Sequence, residues 1–281
     1  MVLGIIDIMN PYLIFYFLLT LFPLFHGDLD IRIEEATTAI QSDQNNDSLY
    51  LIRGTLYFQH QEFMKSIRDF EKVESLVGPG EVVYMSYAKS WFKLEKYEFA
   101  LENINLALQL NDKNPVAYRL KAKVHMDQGQ YEKAAQNFNL SLANTDKIIT
   151  ESYLEVAVAL DSLGSNESIE KSIHILNRGR KELADLDIFK NMIVDQYTKL
   201  ENFDAAIKLQ TEIIHTANRK ERHYYKRAQL YERTQNKESA LVDIKHSYDE
   251  MSNLPARYIR SKPMDDLRNE LLILSQIIKS E

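Results

Sequence analysis

Hydrophobic and polar positions along this chain repeat with a helical period and, over longer distances, with a spacing of 34 residues. Within each stretch the apolar residues recur at steps of three and four, which places them on one face of a helix. Only 8 glycines and 6 prolines are present, so the sequence offers little material for hairpins and tight turns. The pattern therefore predicts a chain of amphipathic helices and not a sheet.

Seven columns of residues keep one register through three successive units. Three further units continue the pattern, with one extra residue before Ala157 and three in the loop around Gly164. Each unit combines large, small and ring-bearing positions on two predicted helices. The columns are Tyr50, Tyr84 and Tyr118; Gly54, Ala88 and Ala122; Tyr57, Trp91 and His125; Phe63, Tyr97 and Tyr131; Ser66, Ala100 and Ala134; Phe70, Ile104 and Phe138; and Val73, Ala107 and Ser141.

This order of residues resembles the tetratricopeptide repeat family over roughly Asp28 to Met251. The resemblance implies an all-α fold, a right-handed superhelical solenoid of antiparallel helix pairs. A half-repeat or capping helix at 28–46 is expected to precede six repeats, at about 47–80, 81–114, 115–149, 150–186, 187–220 and 221–254. Four departures from the family pattern predict less regular later units: Lys190, Val194, Gln210 and Lys237.

Residues 255–281 are predicted to close the array. Tyr258 lies 34 residues after Tyr224, as if a seventh unit began there, but Pro263 interrupts that unit. Because terminal repeats need a cap with a polar outer side, the segment is interpreted as a C-terminal capping helix. A partner-binding amphipathic tail is the alternative. The helix is expected from Met264, with one apolar face formed by Leu267, Leu271, Leu274 and Ile278.

The first 27 residues are predicted to direct the chain out of the cytoplasm. Pro11 to Phe25 is a run of fifteen residues without a charge, which has the length of a signal-peptide core and is shorter than the roughly 20 apolar residues that span a bilayer. No Lys or Arg precedes this core, and no A-x-A-like cleavage site follows it. If Val2 to Phe25 forms one segment, it is long enough to be an uncleaved anchor. A cleaved signal peptide, an N-terminal membrane anchor and neither of these are the three alternatives, and the first two place the folded part outside the cytoplasm.

Charge and residue types exclude several functional classes. A net charge of −7 opposes the neutralisation of phosphates, so nucleic acid is not an expected ligand, and an RNA-binding helical repeat is disfavoured. The absence of cysteine excludes disulfides, thiolate zinc sites and cysteine nucleophiles. None of the seven histidines forms an HxxxH or HExxH pair, and His125, in a ring column, is expected in the core. We therefore predict no catalytic, cofactor-binding or metal-binding residues, and contact with a membrane only through the N-terminal segment.

The resemblance implies a partner-binding groove on the concave side of the array, lined by the first helix of each repeat. Lys89 with Lys93, and Arg119 with Lys123, are neighbours four residues apart, so four positive charges are expected in this groove of an acidic protein. Binding of an anionic partner would explain why these mutually repelling charges lie next to each other. The alternative is an ordinary solvated helix face, which requires no partner. The asparagines of the family's carboxylate clamp for chaperone tails are not found here. The candidate groove residues are Phe58, Met85, Lys89, Phe92, Lys93, Arg119, Lys123 and Met126.

The sequence thus predicts a non-enzymatic protein–protein interaction scaffold outside the cytoplasm, which binds a protein or peptide segment of acidic-hydrophobic character. The alternative is a membrane-tethered accessory subunit, anchored by residues 1–27, that recruits an enzyme or an envelope complex. The fate of the N-terminal segment in the mature protein distinguishes the two hypotheses.

Overall fold

The structure, a computed structural model, describes residues 26–280. The predicted export segment at residues 1–27 therefore lies outside the described residues except for its last two. Within residues 26–280, no helix combines the length and the apolar character needed to cross a membrane.

The described residues form fifteen helices and no strands. Each predicted repeat contains two consecutive helices, and the predicted half-repeat contains one. The helices are α1 (His26–Ser42), α2 (Asp47–Gln59), α3 (Phe63–Val77), α4 (Glu81–Lys93), α5 (Tyr97–Leu110), α6 (Pro115–Asp127), α7 (Tyr131–Asn144), α8 (Thr150–Asp161), α9 (Asn166–Leu183), α10 (Asp187–Lys199), α11 (Phe203–Thr216), α12 (Glu221–Arg233), α13 (Lys237–Ser252), α14 (Ala256–Ile259) and α15 (Lys262–Ser280).

The chain divides into two compact units, which are described separately. Unit 1, Met1–Leu120, contains α1 to α5 and the beginning of α6. Consecutive helices from α1 to α5 pack on one another. One core of this unit combines a residue of α1 with aromatic and aliphatic residues of the first two repeats: Ile40, Tyr50, Ile67, Phe70, Val73, Val83 and Tyr87.

Unit 2, Lys121–Glu281, contains the remainder of α6 and the helices from α7 to α15. Consecutive helices from α7 to α13 pack on one another, and α15 packs against α12 and α13. A core around Tyr153, Leu176 and Phe189 fills the middle of this unit. A second core lies beneath α15, where it includes Leu267 and Leu271.

Small residues occupy the positions where paired helices approach each other most closely. Gly54 shows why, because a Cβ atom built at this position would lie 2.7 Å from the ring of Phe70. The same column carries alanine in the next two repeats, and the small column of the second helices is equally buried. Ten side chains of the two small columns are completely inaccessible to solvent: Ser66, Ala88, Ala100, Ala122, Ala134, Ala157, Ser172, Ala206, Ala228 and Ala240.

Turns between the first and second helices of five repeats share one backbone conformation. In the first repeat Gln61 is left-handed, and the N–H of Glu62 donates to the carbonyl of Tyr57 at 2.8 Å. This is the Schellman arrangement, which ends a helix and satisfies one of its last carbonyl groups. Five turns have a positive φ at the equivalent position: Gln61 (64°), Glu95 (57°), Gly129 (69°), Glu201 (55°) and Gln235 (58°).

A partly buried ion pair, with a hydrogen bond to a third helix, joins three helices at the beginning of the array. Arg53 on α2 forms two hydrogen bonds to the carboxylate of Asp69 on α3, at 2.7 and 2.8 Å, and a third to Thr37 on α1 at 3.2 Å. Its guanidinium also lies over the rings of Tyr50 and Tyr57. Bidentate pairing and ring stacking both suit the planar guanidinium, so this position selects arginine over lysine.

The same arrangement recurs within unit 2. Arg227 on α12 pairs with Asp243 on α13 at 2.7 and 2.8 Å and with Thr211 on α11 at 2.9 Å. Tyr224 and Tyr231 flank its guanidinium in the same way. The sequence analysis identified neither ion pair, although both use the 34-residue register.

Residues 255–280 differ from the predicted cap at its beginning. The capping helix α15 starts at Lys262 and not at Met264, because Pro263 lies in its first turn, where a missing backbone N–H costs nothing. A single turn of helix, α14, occupies the place where a seventh repeat would begin. The four residues expected on the apolar face are buried as predicted: Leu267, Leu271, Leu274 and Ile278.

Candidate functional site

The predicted groove residues of unit 1 divide into exposed and buried side chains. Lys89 and Lys93 are exposed, and Phe92 is half-buried between them on the same face of α4. We call these three residues the α4 patch. Met85, one turn earlier, is only 6% exposed, so its side chain belongs to the packing of unit 1 and offers little surface to a partner. Arg119 is half-buried in the part of α6 that belongs to unit 1.

Aromatic contacts fix the rings that the sequence placed on this surface. The ring of Phe92 lies 6.3 Å from that of Tyr97, which begins the second helix of its repeat. Phe58 occupies the equivalent place on α2 and meets Phe63 edge to face at 5.5 Å. Both phenylalanines are half-buried, so each keeps part of its ring available to solvent while its position is held by a neighbouring ring.

The two lysines of the α4 patch have no carboxylate partner among the described residues. The side chain of Lys89 is exposed on the surface of the helix, but the surrounding protein keeps part of the solvent away from it. This partial desolvation lowers the pKa of its ammonium group. An ammonium group that is partly desolvated and lacks a counter-ion is in a less favourable environment than one in water. A carboxylate supplied by a ligand would restore the missing interaction.

The two predicted groove residues of unit 2, Lys123 and Met126, are less available to a partner than the sequence predicts. Lys123 lies 3.7 Å from Glu155 on α8, so its charge is offset by an acid that the sequence analysis did not include. Met126 packs against the main core of unit 2. The expected accumulation of four uncompensated positive charges is therefore reduced, and the charge that stays uncompensated is that of Lys89 and Lys93.

Two cavities in unit 2 are lined by residues of the first helices of the later repeats. The first, of about 250 Å³, lies between α10 and α12. The second, of about 410 Å³, lies between α12 and α15, and the two share Gln229 and Arg233. Basic groups near these cavities are paired, since Lys226 lies 3.5 Å from Asp195 and Arg233 lies 3.9 Å from Glu232. Their apolar walls include Val194, Leu230, Ile273, Leu274 and Ile277.

No group of three or more His, Cys, Asp or Glu side chains is arranged to hold a metal ion in the part of the chain that the structure describes. His125 is buried, as its ring column predicts, and burial, together with the charges of Lys133 and Lys121, lowers its pKa. A neutral packed histidine accounts for this position without any catalytic role.

Solved structures with a similar architecture share little sequence with this chain. A tetratricopeptide repeat protein from Parabacteroides merdae is 18% identical over 88% of this chain and 93% of its own, with a TM-score of 0.51. The C-terminal part of a TPR repeat-containing protein from Cytophaga hutchinsonii is 13% identical over 83% and 93%, with a TM-score of 0.67. The fold is of the tetratricopeptide repeat type.

YrrB, described as a TPR protein with an unusual peptide-binding site, is 17% identical over 66% of this chain and 93% of its own, with a TM-score of 0.50. No protein-family model matches the sequence, and no curated protein is significantly similar to it. The tetratricopeptide-type fold therefore rests on the helix pairs and the residue columns.

The cavities beside α12 are the part of the candidate surface that the sequence analysis missed. The repeat register contained the signal, because Tyr225, Gln229 and Glu232 occupy the columns that Leu51, Thr55 and Phe58 occupy in the first repeat. Extending those columns to the last tetratricopeptide-type repeat would have identified the residues. The contribution of α15 to the second cavity has no such signal, since α15 does not follow the repeat register.

Proposed function

We propose that this chain is a non-enzymatic interaction scaffold that binds a segment of another protein on the exposed face of its first helices. The tetratricopeptide-type fold supports this proposal, because stacked helix pairs present an extended surface on which a partner segment can bind. The peptide-binding site ascribed to YrrB, a structure of similar fold, agrees with such a role.

The α4 patch is the observation that carries the proposal. Two lysines without ion-pair partners flank a partly exposed phenyl ring on one helical face, and the pKa of Lys89 is lowered by burial. A segment that carries carboxylates next to an apolar side chain would satisfy both lysines and cover the ring. The preferred partner is therefore an acidic-hydrophobic segment of a protein or peptide.

The proposed location is outside the cytoplasm, on the basis of the uncharged run from Pro11 to Phe25. A cleaved signal peptide would give an exported scaffold. A retained segment would give the second candidate, a membrane-tethered accessory subunit that recruits an enzyme or an envelope complex. Both candidates use the same binding face.

A double charge reversal tests the binding face directly. Lys89→Glu with Lys93→Glu should leave helical content and melting temperature nearly unchanged, because both side chains are exposed. The proteins captured by the full-length wild-type chain, quantified by mass spectrometry, should include partners that the double variant no longer retains. Binding of those partners should weaken with salt in the wild type and lose most of that dependence in the variant.

A matched control uses two other exposed basic residues of unit 1, Arg68 and Lys113, reversed to Glu together. Lys65 is less suitable as a control because it forms an ion pair with Glu62. The control should capture the same proteins as the wild type. Equal capture by the α4 variant at low salt would show that its lysines form an ordinary solvated helix face.

A further inference from the structure

Helix α15 has apolar side chains on two different faces. Leu267, Leu271 and Leu274 are buried against α12 and α13. Leu272 and Ile273, in contrast, are 53% and 57% exposed, and Ile273 also borders the cavity between α12 and α15. A capping helix is expected to present a polar outer side, so two adjacent exposed aliphatic residues require an explanation.

The outer face of α15 carries a sequence pattern that is complementary to itself. Five exposed residues follow one another at steps of four, three, four and three, which is the spacing of a helix–helix contact line. The first of the five is an acid and the last is a base. The central residue is a leucine, and an amide side chain lies on each side of it. The residues are Asp265, Asn269, Leu272, Gln276 and Lys279.

We propose that α15 pairs with α15 of a second copy of this chain, antiparallel, with the two-fold axis passing at Leu272. Asp265 and Lys279 each lie seven residues from Leu272, so the antiparallel pair brings the acid of one copy opposite the base of the other. Asn269 then lies beside Gln276 of the second copy, where two amides can exchange hydrogen bonds. The two leucines meet on the axis, and Ile273 extends the apolar centre.

The pattern favours a second copy over an unrelated partner. A two-fold contact requires every residue to meet its complement from the same surface, and that demand favours residue types arranged symmetrically about the centre. Here the acid and the base lie seven residues from Leu272, and the two amides lie three and four residues from it. An unrelated partner would impose no such symmetry. Lys279 has no ion-pair partner among the described residues, and antiparallel helices also align their dipoles favourably. Asp265 contacts Arg268 within its own helix and stays exposed, so its carboxylate can accept a further partner.

Cysteine scanning of the full-length chain tests the position of the axis, because the natural sequence contains no cysteine. Leu272→Cys should form a covalent dimer under mild oxidation, since the two thiols meet on the axis. Gln276→Cys should not form one. The Cα atom of residue 276 would lie about 12 Å, measured along the helix, from the Cα atom of residue 276 in the second copy, whereas a disulfide requires about 7 Å or less. A mixture of differently tagged Asn269→Cys and Gln276→Cys chains should give the mixed dimer.

Charge exchange tests the ends of the contact by sedimentation equilibrium. Asp265→Lys or Lys279→Asp alone places like charges opposite each other and should weaken self-association by about tenfold. The double variant restores opposite charges and should regain most of the lost affinity, with circular dichroism confirming that α15 stays helical. A full-length chain that is monomeric at its highest soluble concentration would overturn the proposal. So would Gln276→Cys chains that cross-link to themselves as rapidly as Leu272→Cys chains.

Discussion

Four turns between paired helices contain a residue other than glycine in a left-handed conformation. Gln61, Glu95, Glu201 and Gln235 have positive φ angles, whereas the equivalent position of the third repeat is Gly129, the residue type suited to that conformation. For a residue with a Cβ atom the left-handed region costs about 1–2 kcal/mol. These positions are therefore small stores of strain that the helix pairs tolerate.

Glu95→Gly should stabilise the protein by about 1 kcal/mol, because relief of the backbone strain exceeds the added flexibility of the unfolded chain. Gly129→Glu should destabilise it by a similar amount, and crowding cannot be the cause since no atom lies within 4 Å of a Cβ at Gly129. Urea unfolding midpoints measure both effects. As a control, Glu98→Gly places the same substitution in helix α5 and should destabilise by about 1 kcal/mol. If Glu95→Gly lowered the unfolding midpoint as Glu98→Gly does, the left-handed conformation assigned to Glu95 would be contradicted.

At the scale of the helices, close approach between paired helices depends on the small columns. Ala134 of α7 is completely buried, whereas Glu132, two residues earlier on the same helix, is exposed. The two positions therefore provide a sensitive test of the helix register, because a rotation of α7 by half a turn would exchange their environments.

Ala134→Glu should destabilise the protein by several kcal/mol, since a carboxylate would be buried between helices without a partner. Glu132→Ala should change the free energy of unfolding by about half a kcal/mol or less. Thermal melts followed by circular dichroism compare the two variants. Similar melting temperatures for both variants would show that the assigned packing face of α7 is wrong.

The ion pairs of Arg53 with Asp69 and of Arg227 with Asp243 belong to the same scale. Each joins the two helices of one repeat and also reaches a threonine on the preceding helix. The internal repeats replace the arginine with tyrosine, lysine or aliphatic residues, for example Tyr87, whose hydroxyl donates to Glu74. These pairs therefore fix how each of the two repeats is seated on the helix before it.

At the scale of the whole molecule, the fate of the N-terminal segment decides between the two proposed forms of the protein. If the segment is a cleaved signal, the intact mass of the native protein should be lower by about 27 residues, the length of the predicted segment. If it is an anchor, full-length protein should be found in membranes. Soluble cytoplasmic protein that retains Met1 would contradict both.

The sequence alone determined the helix pairs, the repeat register and the buried small columns. These features depend on the spacing of residue types within one or two helical turns and on its recurrence every 34 residues, and both can be counted without coordinates. The apolar face of the last helix was predictable for the same reason. Its first residue was not, because Pro263 can lie inside a first turn as readily as before it.

Only the tertiary structure decided how the candidate surface is composed. Lys123 and Glu155 lie on different helices and are distant in sequence, so no local pattern shows that one charge offsets the other. Met85 lies one turn from the exposed Lys89 on the same helix, yet it is buried by the packing of unit 1. The cavity between α12 and α15 arises because a helix outside the repeat register packs beside the last repeat. Burial and charge at a surface depend on which helices meet, and that is settled by packing between elements.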